Sequence, residues 1–141
     1  DEYRDVKARF LVSGLNIVPC HNDPMPGNFM VKNHEMKIID FDFCGNNEAS
    51  CEVGLFLGEM FIDDEDMLPL LEEYFGKVDD QQLARIRASR VIGDVKWGLW
   101  GIINSVVRSV SFDYWKYGIW KLMRAYTYQH QLDWAQVKSA I

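Results

Sequence analysis

The segment "HNDPMPGN" (residues 21–28), followed by "IIDFDF" (residues 38–43), decides how this chain is read. Two prolines and a glycine exclude both helix and regular strand from the first segment. Yet it carries a histidine, two carboxamides and a carboxylate. Beyond it, "FMV" (residues 29–31) and "MKIID" (residues 36–40) are short apolar runs separated by the turn-prone "KNHE", a pattern that predicts a β-hairpin. A tight loop and two short strands bring Asp23, Asn28 and Asp40 to one place. Phosphoryl transfer needs such parts: one carboxylate to accept the proton of an attacking hydroxyl, and an amide oxygen with a second carboxylate to hold magnesium against nucleotide phosphates.

Outward from this core the chain reads as helix. Val6, Phe10 and Leu11 lie at helical spacing within residues 1–13, and Gly14 is the expected stop. "CGNNEAS" (residues 44–50) reads as loop. The stretches "EVGLFLGEMF", "DDEDMLPLLEEYFG" and "DDQQLARIRASRVIGDVKWGLWGIINSVV" then carry helical periodicity, the second and third opening on aspartates suited to capping. A last helix is expected from Phe112 to Tyr128. The fold class is therefore α+β, predominantly α-helical, with one short hairpin.

Composition narrows the partners. The 141 residues are 48% hydrophobic and 13% aromatic, enough for one packed domain. A net charge of -6 argues against nucleic acid, which demands a basic patch, and is compatible with a cationic ligand. No apolar run approaches the roughly 18 residues of a membrane span, and nothing at the start resembles a signal peptide, so a cytoplasmic protein is expected. The three cysteines, Cys20, Cys44 and Cys51, have no CxxC spacing and suit a reducing compartment. His34, Cys44 and His130 have no ligand-like neighbours in sequence. The chain opens at Asp1, with its chemical motif in the first third; the expectation is a C-terminal piece of a longer protein.

Angular positions in the long helical stretch raise a question of ligand. At about 100° per residue, Ile92, Val95, Leu99, Ile102 and Val106 form one aliphatic stripe expected to be buried. Trp97 and Trp100 fall on the opposite side, beside Gly93, Gly101 and Asn104. In the last helix Phe112, Trp115, Ile119, Leu122 and Tyr126 form a stripe, and Tyr117 points away from it. These three aromatics need another partner. Either they pack against further helices, or they present faces to a quaternary ammonium.

"HNDPMPGN" with "IIDFDF" resembles the catalytic loop and metal-binding segment of kinase-like small-molecule phosphotransferases, closer to choline and ethanolamine kinases and aminoglycoside phosphotransferases than to protein kinases. "WGLWGIINSVVRSVSFDYWKYG" (residues 97–118) is similar to the C-terminal segment of choline and ethanolamine kinases. The resemblance implies the C-terminal lobe of a protein-kinase-like fold over residues 1–141. It implies Asp23 as catalytic base, His21 as the residue orienting the loop, and Asn28 and Asp40 as magnesium ligands on ATP. Asp42 stands where the family usually has glutamate, as a further metal contact with shorter reach. Trp97, Trp100 and Tyr117 would line an ammonium pocket, with Glu59 supplying charge. Glu52 stands where aspartate is common.

No glycine-rich GxGxxG turn occurs, and Lys7 lies in a predicted helix rather than on a strand, so the nucleotide lobe of a kinase is absent from this sequence. The expectation is a substrate-binding and catalytic-loop lobe of an ATP-dependent kinase for choline, ethanolamine or a related amino alcohol, inactive alone. Two other readings are an aminoglycoside-type antibiotic phosphotransferase and a non-catalytic module binding quaternary amines. Oligomeric state is not legible.

Overall fold

The computed structural model describes all residues, 1–141. Helix α1 (Glu2–Ser13) leads to strand β1 (Ile17–Cys20), then through the loop and a 3-10 turn (Pro26–Asn28) to β2 (Phe29–Lys32) and β3 (Glu35–Ile38). Strand β4 (Gly45–Glu48) precedes α2 (Ala49–Glu59), α3 (Asp64–Phe75), α4 (Asp80–Val107), α5 (Tyr114–Gln131) and α6 (Trp134–Ala140). The chain is thus mostly helical with a small β portion. No helix is long and apolar enough to cross a membrane.

The hairpin forms as the sequence predicts, with Phe29 opposite Ile38 and Lys32 opposite Glu35. Its two turn residues, Asn33 and His34, both have positive φ, 51° and 64°, the twist that suits a two-residue connection between strands. Gly14 ends α1 at φ 86°, as expected. Asp79 caps α4 by accepting from the Gln82 N–H at 2.7 Å, whereas Asp63 makes no side-chain cap bond to α3.

"CGNNEAS" is not simply a loop. Gly45–Glu48 pairs antiparallel with β1, Ile17 opposite Glu48 and Cys20 opposite Gly45. Asparagines have weak strand preference, and the pairing comes from tertiary contacts that local sequence does not announce. The pair fixes where the chemical segments emerge. His21 leaves β1 at the end where the chain arrives into β4, so the loop and residues 39–44 lie side by side.

Helix α4 runs through the centre. Ala84 and Ala88 pack with Val6, Phe10, Val137 and Ile141 of α1 and α6 and the chain end. Ile86 joins Leu57, Met67 and Leu71 of α2 and α3. Val91 joins Ala125 and Tyr128 of α5. Farther along, the expected aliphatic stripe is not the buried one: Val95, Leu99 and Val106 are exposed, as are Phe112, which lies just before α5 rather than in it, and Trp115 and Tyr126 of α5. The buried faces carry Gly93, Asp94, Trp97, Gly98, Gly101 and Asn104 on α4, and Gly118, Lys121 and Ala125 on α5. Glycine explains the reversal. A Cβ on Gly101 would lie 2.8 Å from the Gly118 Cα and 2.9 Å from the Tyr114 carbonyl oxygen, so the two backbones touch without intervening side chains. Hydrophobicity ranks such a face last, although packing buries it first.

Candidate active site

The loop after β1 is held by main-chain partners on three sides. One carboxylate, Glu52 of α2, accepts the N–H groups of His21 at 3.0 Å and Asn22 at 2.9 Å. The His21 ring bridges the loop and the end of the hairpin. Its Nε2–H donates to the Ile39 carbonyl at 2.8 Å, while Nδ1 accepts from the Asp23 N–H at 3.3 Å, a neutral tautomer fixed by its two partners. Asn22 adopts φ 65° and Asp40 φ 62°, left-handed conformations that Asn and Asp tolerate better than other residues. The Asn22 carboxamide is tied down too, donating to the Phe43 carbonyl at 2.9 Å and accepting from Asn47 at 2.8 Å.

Around this frame the predicted groups meet. The buried Asn28 donates through Nδ2 to the Asp23 carbonyl at 2.9 Å and reaches the Asp23 carboxylate at 3.5 Å, the limit of a hydrogen bond. Its Oδ1 is left without a partner in the chain. The Ile39 N–H donates to the Asn28 carbonyl at 2.9 Å, which sets Asp40 beside the loop. Burial, then the negative charge of Glu59, hold the Asp23 carboxyl above the usual carboxylate range; Asp40 adds to this, and His21 and Asn28 act against it.

Asn28 and Asp40 fit a magnesium ion completed by phosphate oxygens and water: the amide oxygen is free because its nitrogen is engaged, and Asp40 is exposed with no internal hydrogen bond. No group of three or more His, Cys, Asp or Glu side chains comes together. Asp42 is exposed and makes no hydrogen bond or ion pair within the chain.

The aromatic residues form a continuous row. Phe43 meets Trp97 edge-on at 5.4 Å between ring centroids; Trp97 meets Trp100 at 5.6 Å, and Trp100 meets Tyr114 at 5.3 Å and Tyr117 at 6.0 Å. Trp97, off the aliphatic stripe, is buried, whereas Trp100 and Tyr117 are half-buried. Burial and then the charges of Glu59 and Asp23 push the Tyr117 phenol far up. Glu59 is not a free carboxylate, however. Lys121 donates to its Oε1, and Arg124 donates to the same oxygen at 3.1 Å.

Sequence reasoning did not find Phe43, Tyr114 or Lys121 for this site. The alternation in "IIDFDF" and the i, i+4 spacing of Tyr117 and Lys121 were the available signals. Glu52, standing where aspartate is common, holds the loop with both of its oxygens.

The family model for choline/ethanolamine kinase matches residues 5–85. The chain belongs to the choline/ethanolamine kinase family. It is 26% identical over 128 residues to probable choline kinase 2 of Arabidopsis thaliana, covering 72% of this chain and 37% of that protein. To probable ethanolamine kinase A of Dictyostelium discoideum it is 24% identical over 151 residues, covering 93% and 43%. Among solved structures, a choline/ethanolamine kinase family protein from Mesorhizobium loti superposes with a TM-score of 0.89 at 22% identity, over 99% of this chain and 48% of that one. Choline kinase LicA from Streptococcus pneumoniae gives 0.72 at 19% identity, over 92% and 46%. The chain thus has the kinase-like fold of the family and spans less than half the length of these relatives.

Proposed function

We propose that residues 1–141 supply the catalytic loop and acceptor pocket of an ATP-dependent kinase that phosphorylates the hydroxyl of choline or a related amino alcohol. The observation that carries this reading is a contact between two motifs distant in sequence: Phe43, three residues after Asp40, packs edge-on against Trp97 at 5.4 Å, and its carbonyl accepts from Asn22 of the loop at 2.9 Å.

In this reading Asp23 accepts the proton of the acceptor hydroxyl as its oxygen bonds to the γ-phosphorus of ATP and the bond to the bridging oxygen breaks, releasing ADP. An elevated carboxyl is a stronger base once ionised. His21 acts through geometry: it locks the loop to Ile39 and keeps Asp23 turned toward the acceptor. Asn28 and Asp40 would hold magnesium, which neutralises charge on the transferring phosphoryl group. Trp97, Trp100 and Tyr117 would face the ammonium, an arrangement suited to a methylated cation and ill suited to a polycationic sugar, which calls for carboxylate walls. The glycine-rich turn and strand lysine that hold ATP belong to sequence outside these residues.

The test is phosphoryl transfer from ATP by the full natural chain. Wild type should phosphorylate choline or ethanolamine, and Asp23→Asn should reduce kcat by about 10²- to 10⁴-fold. An unimpaired Asp23→Asn protein removes Asp23 from the chemistry; choline binding without turnover by the full chain leaves a binding module instead.

A further inference from the structure

A buried lysine is an unexpected neighbour for a pocket that is to hold a cation. Lys121 is 7% exposed, and its ammonium contacts Glu59 Oε1, stands 3.9 Å from Asp94 and lies 5.4 Å from the centre of the Tyr117 ring. Arg124 completes the group, donating to Asp94 at 2.6 and 2.5 Å and to Glu59 at 3.1 Å. Two carboxylates thus face two cations, and the group as a whole is neutral.

We infer that Lys121 is a specificity-determining residue that tunes the aromatic row to a quaternary ammonium over a primary one. The inference rests on the proposed amino-alcohol kinase reading. A primary ammonium is compact, strongly hydrated and carries three N–H donors, all of which need acceptors once water is removed. Glu59 and Asp113 line one cavity with Tyr117: Asp113 accepts the Lys116 N–H at 2.9 Å as the cap of α5, and both internal cations sit on Glu59 Oε1, leaving Oε2 as an acceptor whose negative charge is already offset. Ring faces accept such donors poorly. A trimethylammonium has no donors and spreads its charge over methyl groups, so the faces of Trp97, Trp100 and Tyr117 satisfy it without any free carboxylate. Lys121 takes part of the Tyr117 environment, and Lys96 stands 4.6 Å from the centre of the buried Trp97 ring, so Trp100 carries the larger share of recognition.

The experiment compares kcat/KM for choline, N,N-dimethylethanolamine, N-methylethanolamine and ethanolamine, using the full natural chain as wild type, Lys121→Met and Lys121→Arg. Wild type should favour choline over ethanolamine by about tenfold or more, falling with each methyl removed. Lys121→Met retains the packing of the stem and removes the charge, which uncovers Glu59; the choline-to-ethanolamine ratio should drop at least about fivefold, through a lower KM for ethanolamine with little change in kcat. Lys121→Arg restores a cation and with it the wild-type ratio. A wild-type ratio near or below one overturns the inference even if Lys121→Met does not fold, and so does a folded Lys121→Met protein with an unchanged ratio. Absence of phosphorylation of all four amino alcohols by wild type overturns the kinase reading itself, and this inference falls with it.

Discussion

Glu52 accepts the main-chain N–H of His21 at 3.0 Å and, through its other oxygen, that of Asn22 at 2.9 Å. The start of the loop after β1 is therefore tied to helix α2 by a single side chain. Glu52→Gln keeps the size of that side chain but has one acceptor oxygen instead of two, so one loop N–H loses its partner. The expected cost is about 1–3 kcal/mol, read as a lower urea midpoint. Faster hydrogen exchange at His21 or Asn22 should accompany it. An unchanged midpoint with unchanged exchange would show that water replaces the carboxylate without loss.

The crossing of α4 and α5 makes a second prediction. Gly101→Ala places a methyl group 2.8 Å from the Gly118 Cα, where neither backbone yields cheaply. Overpacking of this kind costs about 1–3 kcal/mol. Because Trp97 and Trp100 flank the crossing, their fluorescence should shift along with the thermal midpoint. Leu99→Ala, on the exposed face of the same helix, should leave both nearly unchanged. A fully stable Gly101→Ala protein would contradict the close approach.

Recognition of charge by the aromatic row is tested with a neutral copy of choline. In the full natural chain, choline should be used better than 3,3-dimethylbutan-1-ol by roughly 30- to 1,000-fold in kcat/KM, corresponding to about 2–4 kcal/mol from desolvated ring faces. Trp100→Leu preserves an apolar wall but deletes the ring, so the ratio should shrink even if both substrates weaken. Equal use of the two alcohols by wild type would make the tryptophans packing residues only.

Two phenols offer a probe that needs no substrate. Burial, then negative charge from Glu59 and Asp23, raise the Tyr117 phenol, and burial, then the hydrogen bond to Asp64, raise that of Tyr128. In an alkaline absorbance titration Tyr117 and Tyr128 should therefore ionise only as the fold is lost. The sign for stability follows from the raised folded values. Stability is retained below the unfolded phenol pKa of about 10 and declines as pH rises above it, since unfolding then releases protons. Combining Tyr117→Phe with Tyr128→Phe should remove the late step; a wild-type titration with no late step would contradict the burial.

Residues 21–40 were legible because their chemistry and their backbone requirements coincide. Pro24, Pro26 and Gly27 force a loop, Asn33 and His34 suit a tight turn, and Asp and Asn at fixed spacing leave few alternatives. Strand β4 was illegible for the opposite reason: "GNNE" has little strand preference of its own and extends only because β1 lies alongside. The α4 and α5 faces misled for a third reason. Periodicity counts apolar side chains, and there the closest contact is made by residues with none, while the apolar stripes face outward. The pairing of Glu59 with Lys121 and Arg124 spans more than sixty positions and leaves no local trace; only the aromatic residues around it stood out in sequence.

Where Gly101 meets Gly118 the gap between α4 and α5 is gauged chiefly by main-chain atoms. A dimension set by side chains drifts with each rotamer change, but one set by backbone contact is as stiff as the helices themselves. The spacing between the tryptophan pair and Tyr117 is accordingly constant on the timescale of ligand encounter, and opening the row falls to side-chain rotation of half-exposed Phe43 in nanoseconds or faster rather than to helix displacement in microseconds or longer. Entry to such a pocket is quick, its width is not negotiable, and the smallest heritable enlargement is one whole methyl group.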